Sequence, residues 1–580
     1  MFGDVYAELK ITKDLTFKTN FGIDIANVRN YNYGSSKQTT ATGSGNGGNG
    51  YIKELSRITE NILTYTKNWD EHRFSATGVY SWQDYVYENL SISGKGFQND
   101  ETGAWDMGLA DRETMSYASG KYGNTLISFT GRFTYAYKDR YLMTATARYD
   151  GSSRFGTNNK WGFFPSVGLG WRISEETFLA NNKVITNLKL RGSYGITGNQ
   201  EIGNYKSLAQ LKSKNYIYND ALMQGFYETI GNPDLKWERT KQFDLGFDLS
   251  LWNRIHLNVD YYSRRTSDLL YDVPIPSTSG FSTMLSNIGI VSNKGVEIAL
   301  SGRIVETKDF KLDATVNISK NKNEIKELYN DVESITVTSG LGLSKYLKVG
   351  ESLLSIYGLK SEGIIKTEEQ LAAYQKIVPT AQLGDEMYAD IDDDKAITAK
   401  DQINIGETEP NFFYGVALNL EYKKFHLDIL GQGAHDFAAV GASNSDMKIG
   451  IHGYGDSFNY LLVGENQTDN RCCLPSKYAY ERMWSPSNPN GTFPRAGASN
   501  LYLSDRSNSG WNYFIIKSIA LSYNFGNNPI KGIKGIKGIS AFVNLQNFIT
   551  FANHRGYNPE NGDTSNPWIK TITIGVNAKF

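Results

Sequence analysis

Apolar and polar residues alternate along most of the chain. The segments 5–11, 15–25 and 569–580 show the alternation clearly, and the last of them ends on an aromatic residue, Phe580. A strand with this period has one apolar face and one polar face, which suits a wall between lipid and a wet lumen. The pattern therefore predicts an all-β protein, an antiparallel transmembrane β-barrel.

The alternation predicts seventeen strands. They lie near residues 5–11, 15–25, 56–67, 73–85, 126–138, 140–150, 164–174, 187–198, 238–251, 255–265, 292–302, 309–319, 411–422, 425–433, 513–524, 538–547 and 569–580. Tight turns at 12–14, 69–72, 138–140 and 252–254 separate some strands, and long polar segments such as 34–50 separate others. Outer-membrane barrels alternate short periplasmic turns with long extracellular loops in this way.

The largest segments without a strand pattern are expected to form the extracellular rim, because loops of this size in a compact protein are usually functional. They span 86–125, 199–237, 321–410 and 434–512. Aromatic residues in them offer an apolar ring face with a polar edge, which can stack on a sugar ring. Candidates are Trp105, Tyr205, Tyr454, Tyr460 and Trp484, although packing within the loop is the alternative for each of them.

The odd number of strands is itself informative. Bacterial single-chain barrels have an even number, and the turn at 12–14 has periplasmic character, so we expect an odd number of strands to be missing before Met1. The sequence starts at the edge of a strand and shows no export signal. We therefore expect either a start upstream of Met1 or a fragment, and an open or imperfectly closed sheet for these residues alone.

Composition excludes several classes of protein. Charged residues make up 21% of the chain, and no stretch approaches the roughly 20 apolar residues of a membrane-spanning helix. The net charge of -1 gives no electrostatic footprint for nucleic acid. The two cysteines are adjacent, Cys472 and Cys473, which excludes a disulfide framework. Because the six histidines lie outside any metalloprotease motif, and neither a nucleophile elbow nor a P-loop occurs, we predict that the protein is not an enzyme.

Specific sequence segments resemble the SusC/RagA family of TonB-dependent outer-membrane transporters. They read RYDGSSRFG at 148–156, FFPSVGLGW at 163–171, LRGSYGITGNQ at 190–200, NPDLKWE at 232–238, DYY at 260–262, TSDLL at 266–270, NIGIVSNKGVE at 287–297 and GYNPE at 556–560. They occur in the family's order, and the resemblance extends from about Phe2 to Phe580.

The resemblance implies a barrel of about 22 strands with an N-terminal plug domain. In such proteins the TonB–ExbB–ExbD complex opens the plug, and a SusD-like surface lipoprotein captures glycans or peptides. The strands of this chain would then be strands 6 to 22, and residues 1–580 would be the C-terminal part of the barrel domain, with the signal, the plug and the first strands absent. The parts that couple to TonB would therefore lie outside this sequence.

An acidic loop is the strongest candidate for a metal site. Asp390, Asp392, Asp394 and Asp401 stand at positions 1, 3, 5 and 12 of a segment with the oxygen-ligand spacing of calcium loops. Two features depart from that pattern: position 6, which favours glycine, is Lys395, and Asp401 is shorter than the usual glutamate. We therefore expect either a structural Ca²⁺ ion or a solvated acidic loop, and no other cofactor.

The sequence leads to one main hypothesis and three alternatives. The hypothesis is TonB-dependent import of oligosaccharides or similar nutrients across the outer membrane, with a SusD-like lipoprotein and membrane lipids as partners. The alternatives are import of peptides by a member of the same family, a passive porin-like or structural barrel, and a soluble carbohydrate-binding β protein. The basic repeat KGIKGIKGI at 531–539 is interpreted as a lengthened periplasmic turn.

Overall fold

A computed structural model describes most of the protein. The described residues are 1–37, 45–97, 99–218, 221–281, 283–329, 332–338, 345–437, 481–495, 498, 502–505, 511–527, 537–552, 558–560 and 568–579. Strands dominate this part of the chain, and a short α-helix, α1, spans Glu368–Tyr374. Among the described residues, no helix has the length and the hydropathy needed to cross a membrane.

Numbered along the chain, the strands are β1 (Phe2–Lys10), β2 (Leu15–Gly34), β3 (Gly45–Trp69), β4 (His72–Phe97), β5 (Ser116–Tyr137), β6 (Tyr141–Ser152), β7 (Trp161–Arg172), β8 (Ile185–Asn199), β9 (Gln210–Tyr218), β10 (Ala221–Thr229), β11 (Glu238–Leu251), β12 (Ile255–Ser267), β13 (Leu270–Pro274), β14 (Thr283–Asn287), β15 (Ile290–Glu306), β16 (Phe310–Glu327), β17 (Ser334–Thr338), β18 (Lys345–Lys348), β19 (Ser355–Leu359), β20 (Ser361–Ile364), β21 (Glu386–Tyr388), β22 (Gln402–Glu407), β23 (Phe412–Tyr422), β24 (Phe425–Phe437), β25 (Trp511–Asn527), β26 (Gly538–Ala552) and β27 (Thr571–Lys579).

Seventeen of these strands form one large antiparallel sheet, and each corresponds to a strand predicted from the sequence. The predicted number of strands and the barrel-type fold are therefore confirmed. The other ten strands pair as β9–β10, β13–β14, β17–β18, β19–β22 and β20–β21, in five two-stranded sheets. These small sheets lie in connections between strands of the large sheet.

The predicted tight turns are confirmed. At 138–140 the chain turns through Lys138 and Asp139, both at φ 55°, and at 252–254 through Trp252 and Asn253, at φ 52° and 53°. A two-residue turn with both central residues in the left-handed region matches the right-handed twist of the adjoining strands. Each turn therefore fixes the register of its hairpin.

The long polar segments were only partly predicted correctly. The loop expected at 34–50 is wrong for residues 45–50, because β3 begins at Gly45, and the one expected at 86–125 loses its ends to β4 and β5. A Cβ on Gly47 would lie 2.8 Å from the Cβ of Ala104. Packing against a neighbouring loop, and not a turn, therefore requires glycine here.

The large sheet has two chemically different faces. On β15, Val296 and Leu300 are exposed apolar residues, and they alternate with polar residues such as Glu297 and Arg303. Since side chains alternate across a strand, the apolar residues share one face, as they do in the wall of a membrane barrel. The polar residues of β15 face the lumen.

The described chain divides into two compact units. The first contains Met1–Arg172, Arg191–Phe243 and Arg265–Gly289, and the second contains Ile173–Leu190, Asp244–Arg264 and Ile290–Phe580. Among the described residues of the first unit, Phe155, Phe164, Ile202, Leu235 and Trp237 form a buried cluster. Buried clusters among the described residues of the second unit include Ile365, Tyr374 and Ala381 at the end of α1, and Ala434, Phe437, Tyr513 and Ile515 on β24 and β25.

Candidate functional site

Several of the segments that resemble the receptor family meet in one hydrophobic cluster, which we call the motif cluster (Phe155, Phe164, Ile202, Leu235 and Trp237). Phe155 and Leu235 are 1% and 0% exposed. The Trp237 ring lies 4.7 Å from the ring of Phe155 and packs edge-on against Phe164 at 5.2 Å. Burying these rings fixes the β6–β7 loop to the segment that leads into β11.

Gly156 brings the two segments into backbone contact. Its N–H donates to the carbonyl of Leu235 at 3.1 Å, and the Asn158 side chain donates to the Asp234 carboxylate at 2.7 Å. A Cβ on Gly156 would lie 1.9 Å from the Pro233 carbonyl oxygen. Any side chain at this position would therefore force the segments apart.

Two asparagines extend the contact to the β12–β15 connection. The Asn287 amide donates to the carbonyls of Lys236 at 2.7 Å and Asp268 at 2.9 Å, and accepts from the Lys236 N–H at 2.9 Å. The Asn232 amide donates to the Leu285 carbonyl at 2.9 Å, and Lys236 pairs with Asp268 at 2.8 Å. Hydrogen-bonded amides satisfy the backbone that irregular loops leave unpaired. The loops thus form one ordered platform.

The acidic loop brings three of its four predicted ligands together. One carboxylate oxygen each from Asp390, Asp392 and Asp394 lies within 4.8 Å of the others. Lys395, at the position that favours glycine, adopts φ 64°, and its N–H donates to the Asp390 carboxylate at 2.9 Å. The loop therefore makes the sharp turn without glycine. Three clustered carboxylates are the oxygen donors that Ca²⁺ prefers.

Asp401, the fourth predicted ligand, is not part of this group of three. It is fully buried, and its two oxygens accept from the N–H groups of Ile391 and Thr398, both at 2.7 Å. These bonds connect the first residues of the loop to its last. The structure thus gives Asp401 a role within the fold, and its role as a calcium ligand stays a prediction.

Trp105 is the most exposed of the candidate aromatic residues that the structure describes, at 63%. Its ring stacks on Tyr31 at 4.7 Å, and the Arg29 guanidinium lies 4.8 Å from the ring. Tyr31 and Arg29 are two residues apart on β2 and therefore on one face. Since 63% of the Trp105 surface stays exposed despite these contacts, part of the indole is open to an external ring.

Asp100 holds the loop that carries Trp105. Its carboxylate accepts from the Ser36 N–H at 3.0 Å and from the hydroxyls of Tyr33 at 2.7 Å, Ser36 at 2.8 Å and Ser35 at 2.9 Å. The Ser36 N–H, followed by the Tyr33 hydroxyl, lowers the pKa of the Asp100 carboxyl well below its usual range. Trp105 is therefore presented by an ordered loop.

The other candidate aromatic residues take part in packing or lie outside the described residues. The Tyr205 hydroxyl accepts from the Gly123 N–H at 3.1 Å. Trp484 packs so closely on Gly384 that a Cβ there would lie 2.2 Å from the indole ring. Outside the described residues lie Tyr454, Tyr460, Cys472, Cys473, Phe580 and residues 531–536 of the basic repeat.

Comparison with known families decides the identity of the chain. The model of the family "TonB dependent receptor-like, beta-barrel" matches residues 4–346, more than half of the sequence. The chain belongs to the TonB-dependent receptor family.

Known members of this receptor family align along almost the whole chain. TonB-dependent receptor P3 of Formosa agariphila is 32% identical over 606 residues, which cover 99% of this chain and 57% of the relative. TonB-dependent receptor SusC of Bacteroides thetaiotaomicron is 28% identical over 576 residues, covering 94% and 53%. This receptor chain thus spans little more than half the length of the curated relatives it matches.

A solved structure agrees with the fold of the receptor chain. The RagAB peptide importer in the "closed-closed" state superposes with a TM-score of 0.82 at 25% identity, covering 100% of this chain and 62% of that one. The predicted resemblance to SusC and RagA is therefore confirmed. The family consists of outer-membrane transporters and receptors, which are not enzymes.

Sequence reasoning found the motif segments but not their convergence. The sequence places Gly156, Asn232 and Asn287 within segments that resemble the family, and the structure shows that each residue connects one receptor loop to another. A glycine or asparagine that recurs within a loop motif can signal such a contact, because both residues satisfy irregular backbone. The residue that each of them contacts cannot be predicted from the neighbouring sequence.

Proposed function

We propose that the whole receptor carries out TonB-dependent active import of oligosaccharides or similar nutrients across the bacterial outer membrane. In this proposal residues 1–580 supply barrel wall and extracellular loops, while the energy-coupling segment lies elsewhere in the whole protein. Binding is non-covalent, and the receptor has no enzymatic activity. The observation that carries the proposal is the alignment of 94% or more of the chain with TonB-dependent receptors, SusC among them.

We further propose three kinds of partner. A SusD-like surface lipoprotein delivers the nutrient, the TonB–ExbB–ExbD complex supplies energy, and outer-membrane lipids surround the apolar face of the sheet. The platform around the motif cluster supports the lipoprotein partner. A lipoprotein that opens and closes over the barrel as a lid needs a rigid surface to contact. Exposed apolar residues on one face of the strands support the last.

Peptide import is the second candidate. It is favoured by the fit of the whole chain to the solved structure of the RagAB peptide importer. A passive porin-like barrel is the third, and it differs from both because its flux would not depend on TonB.

Within this function we propose a structural Ca²⁺ in the acidic loop. The three clustered carboxylates of Asp390, Asp392 and Asp394 support it. The ion would neutralise their mutual repulsion and hold the loop closed. It would take no part in transport itself.

Uptake by cells tests the proposal. A strain that lacks the full-length gene is complemented with it, and uptake of labelled neutral oligosaccharides and of labelled peptides is measured with TonB present and with TonB deleted. We expect oligosaccharide uptake that disappears without TonB. Uptake that persists without TonB would establish a passive barrel, and TonB-dependent uptake of peptides alone would establish the second candidate. Co-purification of a surface lipoprotein with the receptor tests the partner.

A further inference from the structure

A depression lies in the wall of the second unit, on strands β12, β15, β16, β23 and β24, with a volume of about 510 Å³. Two neighbouring rows of paired residues run through it. In one row Glu297 pairs with Ser319, and Ser319 with Phe413. In the other, Asn317 pairs with Gly415, and Gly415 with Gln432. We call this surface the wall depression (Glu297, Asn317, Ser319, Phe413, Gly415 and Gln432).

The wall depression lies on the polar face of the sheet. Directly paired residues of neighbouring strands share a face, so every residue of the two rows is on the side of Glu297. Val296 and Leu300, the exposed apolar neighbours on β15, point to the opposite side. A solute in the lumen, and not a lipid, would therefore meet the wall depression.

The wall depression lies near the external end of the membrane-spanning strands. The β23–β24 hairpin closes at the pair Tyr422 and Phe425. Phe413 and Gln432 lie nine and seven residues further along their strands. At about 3.3 Å per residue and a tilt of about 40°, this is a height of roughly 18–23 Å above the turn. The apolar band of such a barrel is about 25 Å tall. The wall depression thus lies in the outer part of the band, on the side from which a solute enters.

The side chains of the wall depression favour one class of ligand. Carboxylates of Asp260 and Glu297 and amides of Asn258, Asn317 and Gln432 line it, and its lining residues include neither lysine nor arginine. Carboxylates repel anionic groups. Amides both donate and accept, as hydroxyl groups do. The combination disfavours an acidic ligand and offers hydrogen-bond partners to the hydroxyls of an uncharged one.

Phe413 and Lys517 also affect which ligands the wall depression can bind. The Phe413 ring is 47% exposed among these polar groups and offers an apolar face of the kind that stacks on the C–H face of a sugar. The ammonium group of Lys517 pairs with Glu560 at 2.6 Å, and Glu560 also accepts from the Gln432 amide. The nearby positive charge is therefore compensated and does not attract anions.

We propose that the wall depression is a subsite for one uncharged sugar ring, and that it selects neutral over acidic oligosaccharides. The inference deepens the proposed import function and rests on it. Hydroxyls of the ring exchange hydrogen bonds with Glu297, Asn317 and Gln432, while Phe413 covers its apolar face. Gly415 leaves the floor open between the two rows.

Gly415 also provides a clean test. A Cβ at this position would meet only the Gly431 carbonyl oxygen, at an ordinary 3.8 Å, and the residue has no positive φ. Replacing it with tryptophan fills the wall depression without a clash at the backbone. Gly131 is the matched control, because a Cβ there has no neighbour within 4 Å and its strand neighbours Phe129 and Phe133 are exposed on the apolar face.

The experiment measures binding of three probes to the full-length receptor in detergent by calorimetry. The probes are a neutral glucan heptasaccharide, an oligogalacturonate of equal length and a heptapeptide. We expect the neutral probe to bind best, Gly415→Trp to weaken it on the order of 10- to 100-fold, and Gly131→Trp to leave it unchanged. Glu297→Gln, which keeps the shape but removes a charge, should narrow the preference for the neutral probe over the oligogalacturonate.

Tighter binding of the oligogalacturonate or of the peptide overturns the inference. So does the absence of binding by all three probes, or equal affinity of Gly415→Trp and the wild type when both barrels show the same heat-modifiable migration. The outcome is separable from that of the proposed function. TonB-dependent uptake that Gly415→Trp leaves intact would preserve import and reject the subsite, whereas uptake that is independent of TonB would reject import itself.

Discussion

Replacing Asp401 with asparagine should release the acidic loop. The substitution keeps one carbonyl acceptor but places an NH₂ group opposite a backbone N–H that now bonds the carboxylate at 2.7 Å. A hydrogen bond to a charged group contributes about 1.5–3 kcal/mol, and an unsatisfied buried N–H costs about 1–3 kcal/mol. We therefore expect local stability to fall by roughly 3 kcal/mol, which is about a 100-fold larger population of the open loop.

Hydrogen exchange read by mass spectrometry measures this change at the amides of Ile391 and Thr398. In the presence of a calcium chelator, Asp401→Asn should speed their exchange about 100-fold, since exchange follows the local opening equilibrium. Asp392→Asn is the matched control. Its carboxylate is exposed and lies 3.7 Å from the Lys400 ammonium, and a surface pair of this kind contributes at most about 1 kcal/mol. Equal exchange rates in the two variants would refute the structural role of Asp401.

Three further predictions concern other parts of the receptor. Gly156→Ala, which forces a Cβ onto the Pro233 carbonyl, should lower the unfolding free energy by about 1–3 kcal/mol, measured as the urea midpoint against Gly131→Ala. The folded-state pKa of Asp100 is lowered, so the stabilisation by this carboxylate is complete above the unfolded pKa of about 3.9 and is lost as the pH falls below that value. The fluorescence of Trp105 should change as this stabilisation is lost. In Asp100→Asn the fluorescence should no longer depend on pH in this range. Calorimetry should detect one Ca²⁺ per chain, with binding lost in Asp392→Asn; unchanged binding would reject the site.

The large sheet was predictable because its signal is local. Each membrane-crossing strand exposes one face to lipid, and the resulting alternation can be read from a short segment such as the eleven residues of β23. The extension of β3 to Gly45 could not be read in this way, since glycine and asparagine normally end strands. Only the contact between Gly47 and Ala104 shows why glycine belongs there.

The small sheets and the acidic loop show where local information ends. Strands β19 and β22 are each only five or six residues long and pair across more than forty intervening residues. Such pairing depends on the tertiary structure around it. In the same way, the spacing of Asp401 suggested a metal ligand, while its burial and its bonds to Ile391 and Thr398 depend on how the loop closes.

The motif cluster also affects how genomes are searched for such receptors. The sequence segments that identify the family are the ones that hold its external loops together, through the packing of Phe155, Leu235 and Trp237. A search that scores these segments therefore ranks proteins by how their loops contact one another. The score carries little information about the imported nutrient. Two receptors can score alike and import unrelated nutrients. Inferring which nutrients a bacterium imports therefore requires a separate comparison of the lumen-facing residues that lie between these segments.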